Sequence, residues 1–181
     1  MALAWALAGC GGGAGDGKPS AAPVAASAPG SAGASAKASA DPQAAEKAAV
    51  LAAYASMSAE QLRAYRAADA KGTDLEKYAT AEALGQIRND LARMQEAGTV
   101  VRGDIGHRAE VTALDLDAKT PKATLSDCVD LSKYETFDNS AQKVIPLPTE
   151  QPLRYVMTAT AERWEGRWMV TAINPLGGPT C

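Results

Sequence analysis

The chain has 181 residues, with 18 Lys and Arg against 21 Asp and Glu, and a formal net charge of −3. That length allows one ordinary domain plus a tail, and the scattered basic residues form no cluster that would track a phosphate backbone, which argues against nucleic acid as a partner. No apolar run is long enough to span a bilayer, so membrane attachment would have to come through the N-terminus.

Residues 1–45 are mostly Ala, Gly, Ser and Pro, and Trp5 is their only aromatic. The apolar residues of a core therefore have to come from residues 46–181, a workable size for one fold. The first ten residues read Met-Ala-Leu-Ala-Trp-Ala-Leu-Ala-Gly-Cys. The ending Leu7-Ala8-Gly9-Cys10 resembles the lipobox of bacterial lipoproteins, in which lipid is transferred to the cysteine thiol. Small residues at positions 8 and 9 then admit the backbone to the peptidase that cuts before the cysteine. The resemblance implies lipid attachment at Cys10 and residence on the extracytoplasmic face of the cell membrane. No Lys or Arg precedes Cys10 and the apolar stretch is short, so residues 1–10 read as a truncated signal whose natural start lies upstream of Met1. Two or more acyl chains make such an anchor stable where one is marginal. Residues 11–45, with Pro19, Pro23, Pro29 and Pro42, bury too little to repay their ordering entropy and read as a disordered linker. About 34 flexible residues have an end-to-end distance of roughly 30–35 Å, enough to hold a domain clear of lipid headgroups.

The segment 42–71 lacks Gly and Pro after Pro42, and Val50, Tyr54, Met57, Leu62 and Tyr65 recur at helical spacing. Gly72 is its expected stop. Thr73-Asp-Leu-Glu76 has the form of a capping box opening a short turn through Tyr78. Thr80 is placed to cap a third helix carrying Leu84, Ile87, Leu91 and Met94, and Gly98 ends it. The period then changes. Val100, Val101 and Ile105 begin extended chain, and residues 111–117 and 123–130 alternate like half-buried strands around a Thr120-Pro121-Lys122 turn. Residues 153–164 and 167–173 are the last strands, joined at Glu165-Gly166. Between 132 and 152 lies a long polar connection, with Asp138-Asn139-Ser140 marking a small hairpin. Helices followed by antiparallel strands predict an α+β fold with the helices packed on one face of a curved sheet.

With Cys10 assigned, Cys128 and Cys181 remain. In an exported protein two such cysteines point to a disulfide, closing a loop of about 54 residues for up to about 4 kcal/mol. It would also pin the tail Pro175-Leu-Gly-Gly-Pro-Thr. The rival is a metal site, but two distant thiols and a single histidine make a poor zinc set. No metal and no cofactor is expected.

This element order resembles the cone-shaped fold of nuclear transport factor 2-like, ketosteroid-isomerase-like and related cystatin-like domains. More closely, the chain resembles a family of secreted proteins and lipoproteins of high-GC actinobacteria. The stretches that carry the likeness are Leu75-Glu-Lys-Tyr-Ala, Gly98-Thr-Val-Val-Arg-Gly103, Val111-Thr-Ala-Leu-Asp-Leu-Asp, Ser126-Asp-Cys-Val-Asp130 and Gly166-Arg-Trp-Met-Val170, with Cys181 at the end. They cover roughly residues 45–181. The resemblance implies a cone fold, an envelope address and a partner for Cys128, and it implies no reaction.

His107 is the only histidine, so a Ser-His-Asp or Cys-His arrangement would have to use it. It falls in the Gly-flanked run Gly103-Asp-Ile-Gly-His-Arg, which reads as an exposed turn. Enzymes of the cone fold place an Asp or His and a Tyr in the pocket. Asp127 shares a strand face with Leu125 and Val129 and is the carboxylate placed to point inward, with Tyr54, Tyr65 and Tyr155 as hydroxyl sources. Asp127 with Tyr155 is the candidate catalytic pair. The competing reading pairs Asp127 with Arg154 or leaves it at a strand end, and makes the tyrosines core residues. Asp115 and Asp117 share a strand side, but two carboxylates without a ligand loop fall short of a calcium site. Trp164 and Trp168 flank the last hairpin and read as core or rim packing. The sequence favours a membrane-anchored, non-catalytic binding or accessory module, whose partner is an envelope protein or a small apolar ligand. The alternative is an extracellular enzyme of isomerase or dehydratase type with a pocket Asp and Tyr. An enclosed apolar cavity with Asp127 at its base points to an enzyme or ligand carrier; a filled cone with an exposed apolar patch points to a protein partner.

Overall fold

Alanine-rich sequence without internal Gly or Pro gives α1 (Ala44–Ala67), followed by α2 (Leu75–Tyr78) and α3 (Ala81–Ala97). The computed structural model describes residues 43–177 and 180–181; the signal, Cys10 and the linker through residue 42 lie outside the described residues. α1 stops before Gly72, because Ala68 takes a left-handed φ of 49° and its amide turns back to Ala64 and Tyr65 carbonyls. The capping box at Thr73 does not form. Thr73 Oγ1 donates to the Ala70 carbonyl at 2.7 Å, and the Asp74 amide donates to Glu60 Oε2 at 2.9 Å. Thr80 is the N-cap residue of α3 but makes no side-chain capping bond, and Gly98 closes the helix with φ 66° as its position predicts.

The strands are β1 (Thr99–Gly103), β2 (Gly106–Asp115), β3 (Lys122–Asp130), β4 (Tyr134–Asp138), β5 (Lys143–Ile145), β6 (Arg154–Trp164) and β7 (Arg167–Pro175). They form two antiparallel sheets, ordered β1-β4-β5 and β2-β3-β6-β7, rather than the single curved sheet expected. Gly103 marks the break. Its φ is +73°, and a Cβ there would sit 1.8 Å from the Lys133 carbonyl oxygen, so only glycine fits where the chain leaves one sheet for the other. The polar connection contains the small hairpin: Asp138 Oδ1 accepts the amides of Ser140 and Ala141 at 2.8 Å between β4 and β5. Glu165 and Gly166, at φ 51° and 80°, make the two-residue turn from β6 to β7.

Two-residue alternation along β3 buries Ala123, Leu125, Asp127 and Val129 on the face that meets the helices. The core runs from these residues to Val50, Tyr54 and Met57 of α1, Ile87 and Leu91 of α3, and Trp168 and Val170 of β7. α1 packs on β7, β1 and β2. Its first turn is tied to the last hairpin by Glu46, which accepts from Trp168 Nε1 at 2.9 Å and from Arg163 at 3.0 Å. Trp168 is therefore buried in the core, while Trp164 stays exposed.

Cys128 and Cys181 form the expected disulfide, with Cα atoms 5.9 Å apart. Cys128 lies on the opposite face of β3 from Asp127, so the bond ties the C-terminus to the outer side of the four-stranded sheet. Constraining a loop of this length contributes up to about 4 kcal/mol. Denaturant unfolding of the Cys128→Ser/Cys181→Ser double variant is expected to show a loss approaching that figure; an unchanged midpoint would contradict it.

Candidate functional site

The site begins with a buried carboxylate. Asp127 is 1% exposed at the centre of β3, between β2 and β6. Its antiparallel partners are Ala109 on β2 and Met157 on β6. The same pairing puts His107 and Tyr155 opposite Val129, so both stand diagonally from Asp127 on the inner face. Only His107 engages it. His107 Nδ1 lies 2.6 Å from Asp127 Oδ2, the Tyr54 hydroxyl donates to that same oxygen at 2.9 Å, and the Arg108 amide donates to Oδ1 at 2.7 Å. The Tyr54 and His107 rings meet edge to face, with centroids 6.0 Å apart.

A carboxylate offers only acceptors, so His107 Nδ1 carries a proton and donates it to Asp127. Nε2 makes no hydrogen bond among the described residues. His107 is not in a turn, as its glycine neighbours suggest, but on β2, one residue after Gly106. A Cβ at Gly106 would sit 3.0 Å from the Asp130 Cβ, so the glycine permits the close approach that brings His107 into register. His107 is exposed as a residue, as expected, while its side chain is 26% accessible.

Tyr54 lies on α1 at the helical spacing that also buries Val50 and Met57. Ser58, one turn further on, is buried, and its Oγ has no hydrogen-bond partner among the described residues. It sits near enough to the Tyr54 hydroxyl to favour the phenolate slightly, yet outside hydrogen-bonding geometry. Burial first, and then the Asp127 charge, push the Tyr54 phenol far above its ordinary range, so it remains a donor.

Tyr54, Ser58 and His107 line one pocket of about 430 Å³ between α1 and the start of β2. The rest of its wall is apolar: Leu51, Ala55, Ala59, Leu62, Ile105 and Ala109. The pocket is a partly open cleft, and Asp127 lies behind His107 and Tyr54 without lining it.

Asp127 points inward as its place on the strand predicts, and of the three tyrosines named as hydroxyl sources it is Tyr54 that reaches it. Asp127 does not pair with Arg154, which forms an ion pair with Asp130 at 3.5 Å. Tyr155 makes no hydrogen bond to Asp127; burial, followed by the Asp127 charge, raises its phenol. It lines a separate cleft of about 310 Å³ with Tyr65, Tyr134, Leu131 and Met157. There Tyr65 donates to Asp90 at 2.6 Å and receives Gln61 Nε2 at 3.0 Å. Asp115 is committed to its own turn, accepting the Asp117 and Ala118 amides at 3.1 Å, and no group of three His, Cys, Asp or Glu able to hold a metal occurs among the described residues.

Fold and site together define an α+β domain with a Tyr–Asp–His cluster at the wall of an apolar cleft. No family model matches the chain, and no curated protein matches it. Among solved structures, the chain is similar to the intermembrane space region of the chloroplast protein ARC6, at 14% identity and a TM-score of 0.49, over 72% of this chain and 95% of that one.

The raised phenols of Tyr54 and Tyr65 have a consequence for stability. The unfolded chain releases these protons near pH 10, whereas the folded chain retains them. Their contribution is therefore complete below pH 10 and is lost as pH rises beyond it. Unfolding free energy measured from pH 8 to 11 should hold level and then fall above about pH 10. Tyr54→Phe should flatten that fall, and an unaltered slope would refute the assignment.

Proposed function

We propose that this protein is a lipid-anchored, extracytoplasmic binding module that holds a small, largely apolar ligand in the cleft between α1 and β2. The observation that carries the reading is the cleft itself: six apolar side chains surround the polar residues Tyr54, Ser58 and His107. Its volume falls in the range of small-molecule sites, roughly 300–1,000 Å³. Apolar burial at about 25 cal/mol per Å² supplies the affinity, and the polar residues of the wall orient the ligand.

The anchor rests on Leu7-Ala8-Gly9-Cys10, and the linker on the composition of residues 11–45. Within the α+β class we read the domain as a nuclear transport factor 2-like cone, on its order of helices before antiparallel strands and its inward Asp127. A second reading, an enzyme of isomerase or dehydratase type, is favoured by the His107–Asp127 contact; its pocket tyrosine would be Tyr54, not Tyr155. Chromatography and NMR of a bound compound after incubation separate the two, since a binding module returns it unchanged whereas an isomerase rearranges it at constant mass and a dehydratase removes water.

The cleft is tested with the neutral fluorescent probe N-phenyl-1-naphthylamine. Ala55 and Ala59 are exposed residues on the cleft wall, so Ala55→Trp or Ala59→Trp fills the space without disturbing the core. Each is expected to weaken probe binding about tenfold or more at unchanged thermal midpoint, and full binding by both variants would sink the proposal. For the anchor, mass spectrometry of protein from its native cell should find diacylated Cys10 at the mature N-terminus. An unmodified peptide running through Cys10 would reject it.

A further inference from the structure

We propose that the second cleft, which Tyr155 lines with Tyr65 and Tyr134, is a binding site for a neutral mono- or disaccharide. The two clefts share only Ile105 in their walls, and this site does not depend on what the apolar cleft holds.

Four elements supply its polar wall: α1 brings Gln61 and Tyr65, α3 brings Gln86 and Asp90, β4 brings Tyr134 and β6 brings Tyr155. Each helical pair is spaced one turn apart, so its two members share a helix face. Part of this set is already engaged. Tyr65 donates to Asp90 and accepts from Gln61 Nε2, and Arg93 holds the other Asp90 oxygen. The Tyr155 hydroxyl and the Gln86 carboxamide make no hydrogen bond among the described residues. Both residues are half-buried, yet neither is among the residues with a buried, unpartnered side-chain atom, which are Ser58 and Arg154. Their polar atoms are therefore open to solvent and free to meet a ligand.

The ligand class follows from what these groups require. A carboxamide and a phenol each donate and accept, and the hydroxyls of a sugar do both without carrying charge. Among the described residues no Lys, Arg or His lines the cleft, so an anion would find no cation and would stand beside Asp90. A cation would find one carboxylate, already shared by Tyr65 and Arg93. A wholly apolar ligand would strip water from Gln86 and Tyr155 and return no hydrogen bond. The rest of the wall is apolar, with Leu131, Met157 and Ile173. A pyranose matches that mixture, since its ring faces present C–H groups and its rim presents hydroxyls. At about 310 Å³ the cleft is near the small end of small-molecule sites, roughly 300–1,000 Å³. That size suits one or two sugar rings and not the long groove that an extended peptide fills.

The test is saturation-transfer NMR on the full chain with maltose, cellobiose and N,N′-diacetylchitobiose, against N-acetyl-alanyl-alanine amide as a small peptide. At least one disaccharide should bind with a Kd of about 1 mM, and the peptide should not. Gln86→Leu and Tyr155→Phe keep the bulk of the wall and remove its free hydrogen-bonding groups. Each should weaken that sugar about fivefold or more at an unchanged thermal midpoint. Ala55→Trp, which fills the apolar cleft, should leave the sugar's affinity as it is. Silence from all three sugars, equal binding by both polar variants, or a peptide bound in their place overturns the proposal. So does loss of the sugar in Ala55→Trp, which would seat it in the other cleft.

Discussion

A carboxylate taken out of water must find hydrogen-bond donors, and this requirement organises the centre of the domain. Asp127 sits at 1% exposure with donors from α1, from the β2 backbone and from a β2 side chain. Isolated burial of such a charge costs several kcal/mol, and charge-assisted bonds offset it only when they converge. Convergence here is demanding. α1 must cross the sheet where Tyr54 reaches Oδ2, and β2 must pair in the register that aligns the Arg108 amide with Oδ1. A slip of one residue would turn His107 to the outer face and carry the Arg108 amide out of line, leaving the carboxylate without two of its three donors. The cluster therefore specifies position more than it adds stability.

The neighbouring residue constrains the other side of the same strand. Side chains of Asp127 and Cys128 point to opposite faces of β3, and Cys128 holds the chain terminus through its disulfide. The middle of β3 is thus pinned inward by hydrogen bonds and outward by a covalent bond. Gly103 and Gly106 complete the frame. One allows the chain to leave the three-stranded sheet beside Lys133, and the other lets β2 begin against Asp130. Between them lies Ile105, which lines both clefts. Arg66 on α1 donates to the Gly103 carbonyl at 2.6 Å and pairs with Asp104 at 2.5 Å, so the corner is also held to the helix that bears Tyr54 and Ser58.

Local chemistry made much of this legible. Helical periodicity identified α1 and α3; Gly98 and Glu165-Gly166 marked a helix end and a hairpin; alternation turned Asp127 inward; and two leftover cysteines found each other. Features decided by distant packing were not legible. The spacing of Tyr54 shows that it faces a core, but not which strand it meets there. His107 was obscured by its glycines, which ordinarily signal a turn. Here they signal close backbone approach at a strand start, a distinction that depends on Lys133 and Asp130, far along the chain. The division into two sheets was hidden for the same reason. Thr73 shows the reverse failure, where a local capping pattern lost to Glu60, a tertiary partner already in place.

The arrangement also decides what Asp127 can do. In a site where a carboxylate acts as the base, that carboxylate must face the reacting atom with a lone pair to spare. Asp127 has its oxygens occupied by three donors and is screened from the cleft by His107 and Tyr54. Its influence reaches the cleft through the two side chains that bond it, His107 and Tyr54. The polar side chains of the cleft wall are therefore His107, Tyr54 and Ser58, set among aliphatic residues, and two of the three are fixed in place by a carboxylate that the cleft does not reach.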